Sequence, residues 1–236
     1  MNLHRIKYVI FDLDDTLCDY QKAKKNAINL VNRLLESSGI DVNQFWNSYS
    51  LIEPTLFRQF VNGIISRDEY RLRRYADVIQ GDRENPLAFS SALNDIYMKE
   101  ANHGITLFDD VIPLLKTLEK KEINTAILTN GPSDGQRDKI KALKLEEYIK
   151  KIYISEEIGL GKPSCKVFKF VIDDLNIEPS QVLMVGDSIE DDIEGAKQLK
   201  IKTVLVDRKG KYFDYKGTKI FDLSSLKEMF DTNLIR

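Results

Sequence analysis

The sequence predicts an α/β protein: a parallel-sheet core whose first strand is separated from the rest by a helical insertion. Three observations carry this. Short apolar runs at 124–129, 151–154, 181–185 and 202–206 alternate with helix-like stretches near 133–144, 164–175 and 189–199, the rhythm of strands joined by crossover helices. A run at 6–11 has the same strand character but stands apart, near the start. Between it and the later series, residues 19–103 show helical periodicity and no convincing strand.

The elements follow in order. Residues 6–11 read as a buried strand ending at Asp12. Over 20–37, Ala23, Ala27, Leu30, Val31, Leu34 and Leu35 recur at helical spacing, with Gly39 as the stop. Asp41 caps a second helix carrying Phe45, Trp46 and Tyr49, which Pro54 is expected to interrupt or restart. The S-x-x-E pattern at 66–69 has the form of a capping box, and another helix opens near Pro86. The expected organisation is a discontinuous core, 1–18 and 104–236, with a helical insertion at 19–103 lying over the C-terminal edge of the sheet. Open α/β folds bind ligands at that edge.

Composition narrows the function classes. A chain of 236 residues, 42% of them hydrophobic, buries a sizeable core. Thirty-five basic and 37 acidic residues leave a net charge of −2, which gives no electrostatic case for a nucleic acid polymer or an anionic membrane as partner. An anionic ligand must therefore be attracted locally. Two cysteines, Cys18 and Cys165, suggest a reducing compartment and inert thiols rather than a disulfide framework. The stretch YVIF is too short for a signal-peptide core, and no apolar run reaches the ~18 residues of a membrane span. A cytoplasmic monomer or homodimer is expected.

Four polar clusters follow strands. In VIFDLDDTL, the carboxylates of Asp12, Asp14 and Asp15 crowd together, which is unfavourable unless a cation, hydrogen bonds or protonation relieves it. Asp12 and Asp14 can share a hard cation such as Mg²⁺, while Asp15 is solvated or caps the next turn. AILTNG ends in Thr129, Asn130 and Gly131; a hydroxyl, an amide and a permissive backbone can bind phosphate oxygens, although T-N-G-P is commonly a turn leading into a helix. GLGKPSCKVF sets Lys162 between Gly161 and Pro163, with Pro163 expected in the first helical turn, restraining the lysine. Neither a Walker loop nor a GxGxxG fingerprint is present. VLMVGDSIEDDIEGA brings Asp187 to a strand end as a metal ligand; Asp191 and Asp192 open a helix, where an acid caps or complements the dipole, and Asp191 reads as solvated. Together the four clusters describe an Mg²⁺-assisted phosphoryl site.

Through DLDDTL, Thr129, Lys162 and GDSIEDD, the sequence resembles the haloacid dehalogenase superfamily of phosphohydrolases over essentially its whole length. The resemblance implies a Rossmann-like core with an inserted α-helical cap. It makes Asp12 a nucleophile that forms an aspartyl-phosphate and Asp14 a general acid, then a base. Thr129 and Lys162, with the backbone around Asn130 and Gly131, would hold the phosphoryl oxygens. Mg²⁺ would be bound by the Asp12 carboxylate, the Asp14 backbone carbonyl and Asp187. Asp192 fits the last acid of the fourth motif in its longer spacing and Asp191 in its shorter one. The acid at Asp14 separates the sequence from the dehalogenases and phosphonate-cleaving members of the superfamily.

The implied activity is hydrolysis of a small phosphorylated metabolite, a nucleoside monophosphate or a sugar phosphate. A phosphomutase is the alternative, followed by a phospho-accepting signalling or non-catalytic interaction module. Substrate choice should reside in the insertion. There, Trp46, Tyr49 and Phe57 are expected as core, and Arg58, Arg71, Arg73 and Arg74 as a solvated face.

Overall fold

The computed structural model describes residues 3–79 and 85–232. The strands are β1 (Tyr8–Phe11), β2 (Asn124–Thr129), β3 (Lys151–Ile154), β4 (Val182–Gly186), β5 (Lys202–Val206) and β6 (Lys219–Ile220). They form one parallel six-stranded sheet in the order β3-β2-β1-β4-β5-β6. The chain winds outward from β1 through β2 to β3, then restarts on the other side of β1 with β4. β1 and β4 therefore flank the topological switch point, the place where open α/β sheets leave a crevice beyond the strand ends.

The apolar runs are continuous because both faces of the sheet are covered. Alternation sends Val9 and Phe11 to one layer, with Leu114, Leu118, Leu226 and Phe230. These come from α5 (Val111–Lys120) and α10 (Leu223–Thr232). Ile10 and Met184 face the other layer, with Val167, Phe168 and Val171 of α8 (Cys165–Asp174). On the first side α6 (Ser133–Ala142) follows β2, while the short α7 (Ser155–Ile158) follows β3 and packs Ile158 against the other layer.

After β1 come α1 (Tyr20–Ser37), α2 (Val42–Val61), α3 (Arg67–Ala76) and α4 (Pro86–His103). Side chains of Asp19, Asp41, Ser66 and Asn85 accept from backbone amides three residues on and start these helices. Ala27, Val31, Phe45, Tyr75, Leu93 and Tyr97 share one apolar cluster, and Leu56, Phe60, Val61 and Tyr70 a second.

Three expectations need correcting. α2 runs unbroken through Pro54; its N-terminal half packs Phe45 into one cluster and its C-terminal half packs Leu56 and Phe60 into the other, so tertiary burial on both sides offsets the lost hydrogen bond. Pro163 is not in the first helical turn: α8 begins at Cys165, with Ser164 as its cap. The stretch 189–199 is not a regular helix, but a wide π-helical turn, Ile189–Glu194, running into α9 (Gly195–Lys197). The short edge strand β6, only two residues long, is too brief for any periodicity to announce.

Candidate active site

Asp12 directly follows β1, and its amide continues the sheet by donating to Val185 O at 2.9 Å. Asp12 is 7% exposed. Lys162, 2% exposed, reaches it from the loop before α8: Nζ lies 2.6 Å from Asp12 Oδ1 and 2.6 Å from Asp192 Oδ1. Asn130 fixes the lysine's backbone by accepting from Lys162 N at 2.9 Å and donating to Lys162 O at 2.8 Å. The amide of Gly131, whose φ of 138° suits glycine, donates to Ser155 Oγ at 3.0 Å.

Asp187 follows β4, and carboxylate oxygens of Asp12, Asp187 and Asp192 lie within 4.8 Å of one another. Asp192 reaches this group because its turn folds the carboxylate back, accepting from Ser188 N at 3.0 Å. It passes so close to Gly186 that a Cβ there would collide with it. Asp191 points elsewhere, pairing with Arg58 Nη1 of α2 at 2.7 Å. Of the two acids that fit the fourth motif, the geometry thus brings Asp192 into the cluster and Asp191 to the insertion.

Burial pushes Asp12 well above the usual carboxylate range, against the pull of Lys162 and with repulsion from Asp192 and Asp187 adding to it. Burial and repulsion from Asp192 and Asp15 push Asp187 up to about 7. Burial opposes the charge on Lys162, yet Asp12 and Asp192 hold its ammonium above the ordinary lysine value. Three crowded acids, two of them paired with one lysine, form a hard, anionic oxygen set that fits a divalent cation such as Mg²⁺.

Asp14 faces away from this cluster. Its carboxylate accepts from Lys139 Nζ at 2.7 and 2.6 Å, and from Gln136 Nε2 at 3.2 Å. Gln136 also donates to Thr129 Oγ1, which leaves the hydroxyl proton of the buried Thr129 available to a ligand. Asp15 closes the turn before α1 by accepting from Gln21 N at 3.1 Å. Cys18 is buried; burial and then Asp14 push its thiol up, which makes it a poor nucleophile.

Sequence reasoning missed Gln136 and Lys139. The available signal was their place, one turn apart, on the face of α6 that also carries Ile140, where an apolar stripe is expected. It also misplaced Arg74, which is 4% exposed rather than on a solvated face. Arg58 and Arg71 tie the insertion to the sheet side: Arg58 donates to Lys162 O at 3.4 Å as well as to Asp191, and Arg71 pairs with Asp134 at 2.7 Å.

Known proteins resemble this chain over most of its length. The model of the haloacid dehalogenase-like hydrolases matches residues 6–200, and the chain belongs to that family. Glyceraldehyde 3-phosphate phosphatase of Pyrococcus furiosus is 31% identical, over 97% of this chain and 93% of the relative. N-acylneuraminate-9-phosphatase of Mus musculus is 28% identical over 89% and 86%, respectively. Among solved structures, Bacillus subtilis YfnB bound to magnesium superposes with a TM-score of 0.78 at 25% identity, covering 96% of this chain and 99% of that one. Family and relatives are consistent with a phosphoric monoester hydrolase. Among the described residues, no helix is long and apolar enough to cross a membrane.

Proposed function

We propose that the protein is an Mg²⁺-dependent phosphatase that hydrolyses a small sugar phosphate through an aspartyl-phosphate on Asp12. The observation that carries this reading is the convergence of Asp12, Lys162, Asp187 and Asp192 at the switch point, with Thr129 on the next strand end. The activities named for the relatives, on glyceraldehyde 3-phosphate and N-acylneuraminate 9-phosphate, favour a sugar phosphate over a nucleoside monophosphate. Residues 19–103 act as the cap over this site.

Each residue has a defined task. Lys162 offsets the charge that would keep a carboxylate from an anionic phosphate, and it orients Asp12 for in-line attack. An Asp12 oxygen bonds to phosphorus as the ester P–O bond breaks, and Asp14 gives its proton to the leaving oxygen. Water then attacks phosphorus, its proton passes to Asp14, and the Asp12–phosphorus bond breaks. Thr129 donates to a phosphoryl oxygen throughout, and Lys139 and Gln136 hold Asp14 in place. Asp12 and Asp187, with the Asp14 carbonyl and the neighbouring Asp192, would hold Mg²⁺, which when bound would neutralise charge on the phosphoryl oxygens.

The test is phosphate release from a panel of sugar phosphates, nucleoside monophosphates and phosphorylated cofactors, with Mg²⁺ or with chelator. Release that needs Mg²⁺, is strongest on sugar phosphates and disappears in Asp12→Asn supports the reading. Release insensitive to chelator, or retained by the variant, contradicts it.

A further inference from the structure

On the leaving-group side of Asp14 lies a cavity of about 260 Å³ between the insertion and α6, lined by Asp14, Lys139, Tyr20, Tyr70, Tyr97 and Arg74 among others. Arg74 is its unusual member. The guanidinium carbon sits 5.4, 4.9 and 4.9 Å from the ring centres of Tyr70, Tyr75 and Tyr97, and Nη2 donates to Asn94 Oδ1 at 2.6 Å. Its Nε is buried without a partner. Among the described residues no carboxylate pairs with it. Glu53, the one other acid on the cavity wall besides Asp14, is engaged by Tyr70 OH at 2.6 Å. The tyrosines are no substitute for an anion: burial pushes Tyr49, Tyr70, Tyr75 and Tyr97 upward, so the phenols stay neutral.

A buried charge without a counterion among the described residues is costly, and ring faces, one amide and the neutral Tyr70 hydroxyl offset only part of that cost. Tyr75 OH in the same cluster is also buried without a partner, so the cluster is incomplete as it stands. Arginine, always charged and with several fixed donors, suits a carboxylate or phosphate. We infer that Arg74 is a specificity-determining residue that binds a second anionic group, carried by the leaving group of the substrate. The reading rests on the phosphatase assignment for the first phosphate and narrows its substrate to sugar phosphates bearing a carboxylate or another phosphate.

The test uses the full chain and three ligands of equal carbon number: phosphogluconate, fructose bisphosphate and phosphoglucitol, the last with no second anion. Calorimetric titration measures binding, and kcat and KM are measured with Mg²⁺. The expected result is a preference of roughly 10- to 100-fold for an anionic ligand over phosphoglucitol; the better of the two anionic ligands identifies the group. Arg74→Gln should collapse that ratio mainly through KM, and Arg74→Lys should retain part of it. Should Arg74→Gln fail to fold, the wild-type ratio and Arg74→Lys still decide. Equal binding of all three ligands, or a Gln variant that weakens all three equally, overturns the inference. Because binding is read separately, loss of turnover on all substrates with the binding preference intact would count against the phosphatase reading alone.

Discussion

Each acid of the D-x-D pair is held by a buried lysine, and the two pairs differ in what surrounds them. On the phosphate side, Lys162 lies between Asp12 and Asp192, with Asp187 close by. Lys162 pairs with two of these three carboxylates, so the region is short of positive charge and suited to a metal. On the leaving-group side, among the described residues, Lys139 pairs with Asp14 alone, and Arg74 sits beyond it with no carboxylate partner. That region has cation to spare and is suited to an anion. The same sheet edge thus offers opposite electrostatic deficits a short distance apart, which is what a site needs if it must bind Mg²⁺ and a negatively charged ester together.

Breaking the phosphate side should have the largest effects. Asp12→Asn removes the proposed nucleophile and is expected to lower kcat by about 10⁴-fold or more in a steady-state assay. Lys162→Met leaves Asp12 and Asp192 buried together without their shared ammonium. A fall of about 10³-fold in kcat and a loss of about 3 kcal/mol in urea unfolding are expected, the latter partly recovered by Mg²⁺ under the proposal that it binds the same carboxylates.

The leaving-group side should respond more mildly. Lys139→Met frees Asp14 from its anchor, and about 10²-fold loss is expected in kcat, with KM changing less. If kcat held while KM rose, Lys139 would be a substrate contact and not a positioning residue.

Proton competition sharpens the contrast. Asp187 is pushed up to about 7, so it binds a proton as pH falls through that value, and a protonated carboxylate is a poor ligand. Calorimetry should show Mg²⁺ affinity about tenfold weaker at pH 6 than at pH 8; no change would place the cation away from Asp187. The smallest effect belongs to the ties between insertion and sheet. Arg58 is half exposed and pairs with Glu190 and Asp191, so Arg58→Ala should cost under about 1 kcal/mol, and less in high salt.

The same division separates what the sequence disclosed from what it did not. β1, β2 and β4 were legible because strands covered on both faces carry runs of consecutive apolar residues, and their ends were legible because polar residues there interrupt that pattern. Asp12, Thr129 and Asp187 belong to such ends, whereas Lys162 lies in the loop between α7 and α8. The continuity of α2 through Pro54 was not legible, since it depends on burial against two clusters far apart in sequence. Lys139, Gln136 and Arg74 were hidden for a related reason: on helices, single polar residues look like surface, and only the packing of α6 against α4 and of α3 against α4 encloses them. Choosing between Asp191 and Asp192 likewise required the π-helical turn that folds Asp192 back beneath Gly186.

The central claim is that Asp12 takes the phosphoryl group and Asp14 manages the protons. It is tested most directly by trapping the intermediate in Asp14→Asn, using para-nitrophenyl phosphate, whose leaving group departs without protonation. Lacking the base, this variant should accumulate one phosphoryl group per chain, which peptide mass spectrometry would place on Asp12 and which would be absent from the Asp12→Asn/Asp14→Asn double variant. A phosphoryl group on another residue, or phosphate released at an undiminished rate by Asp12→Asn, would contradict the account.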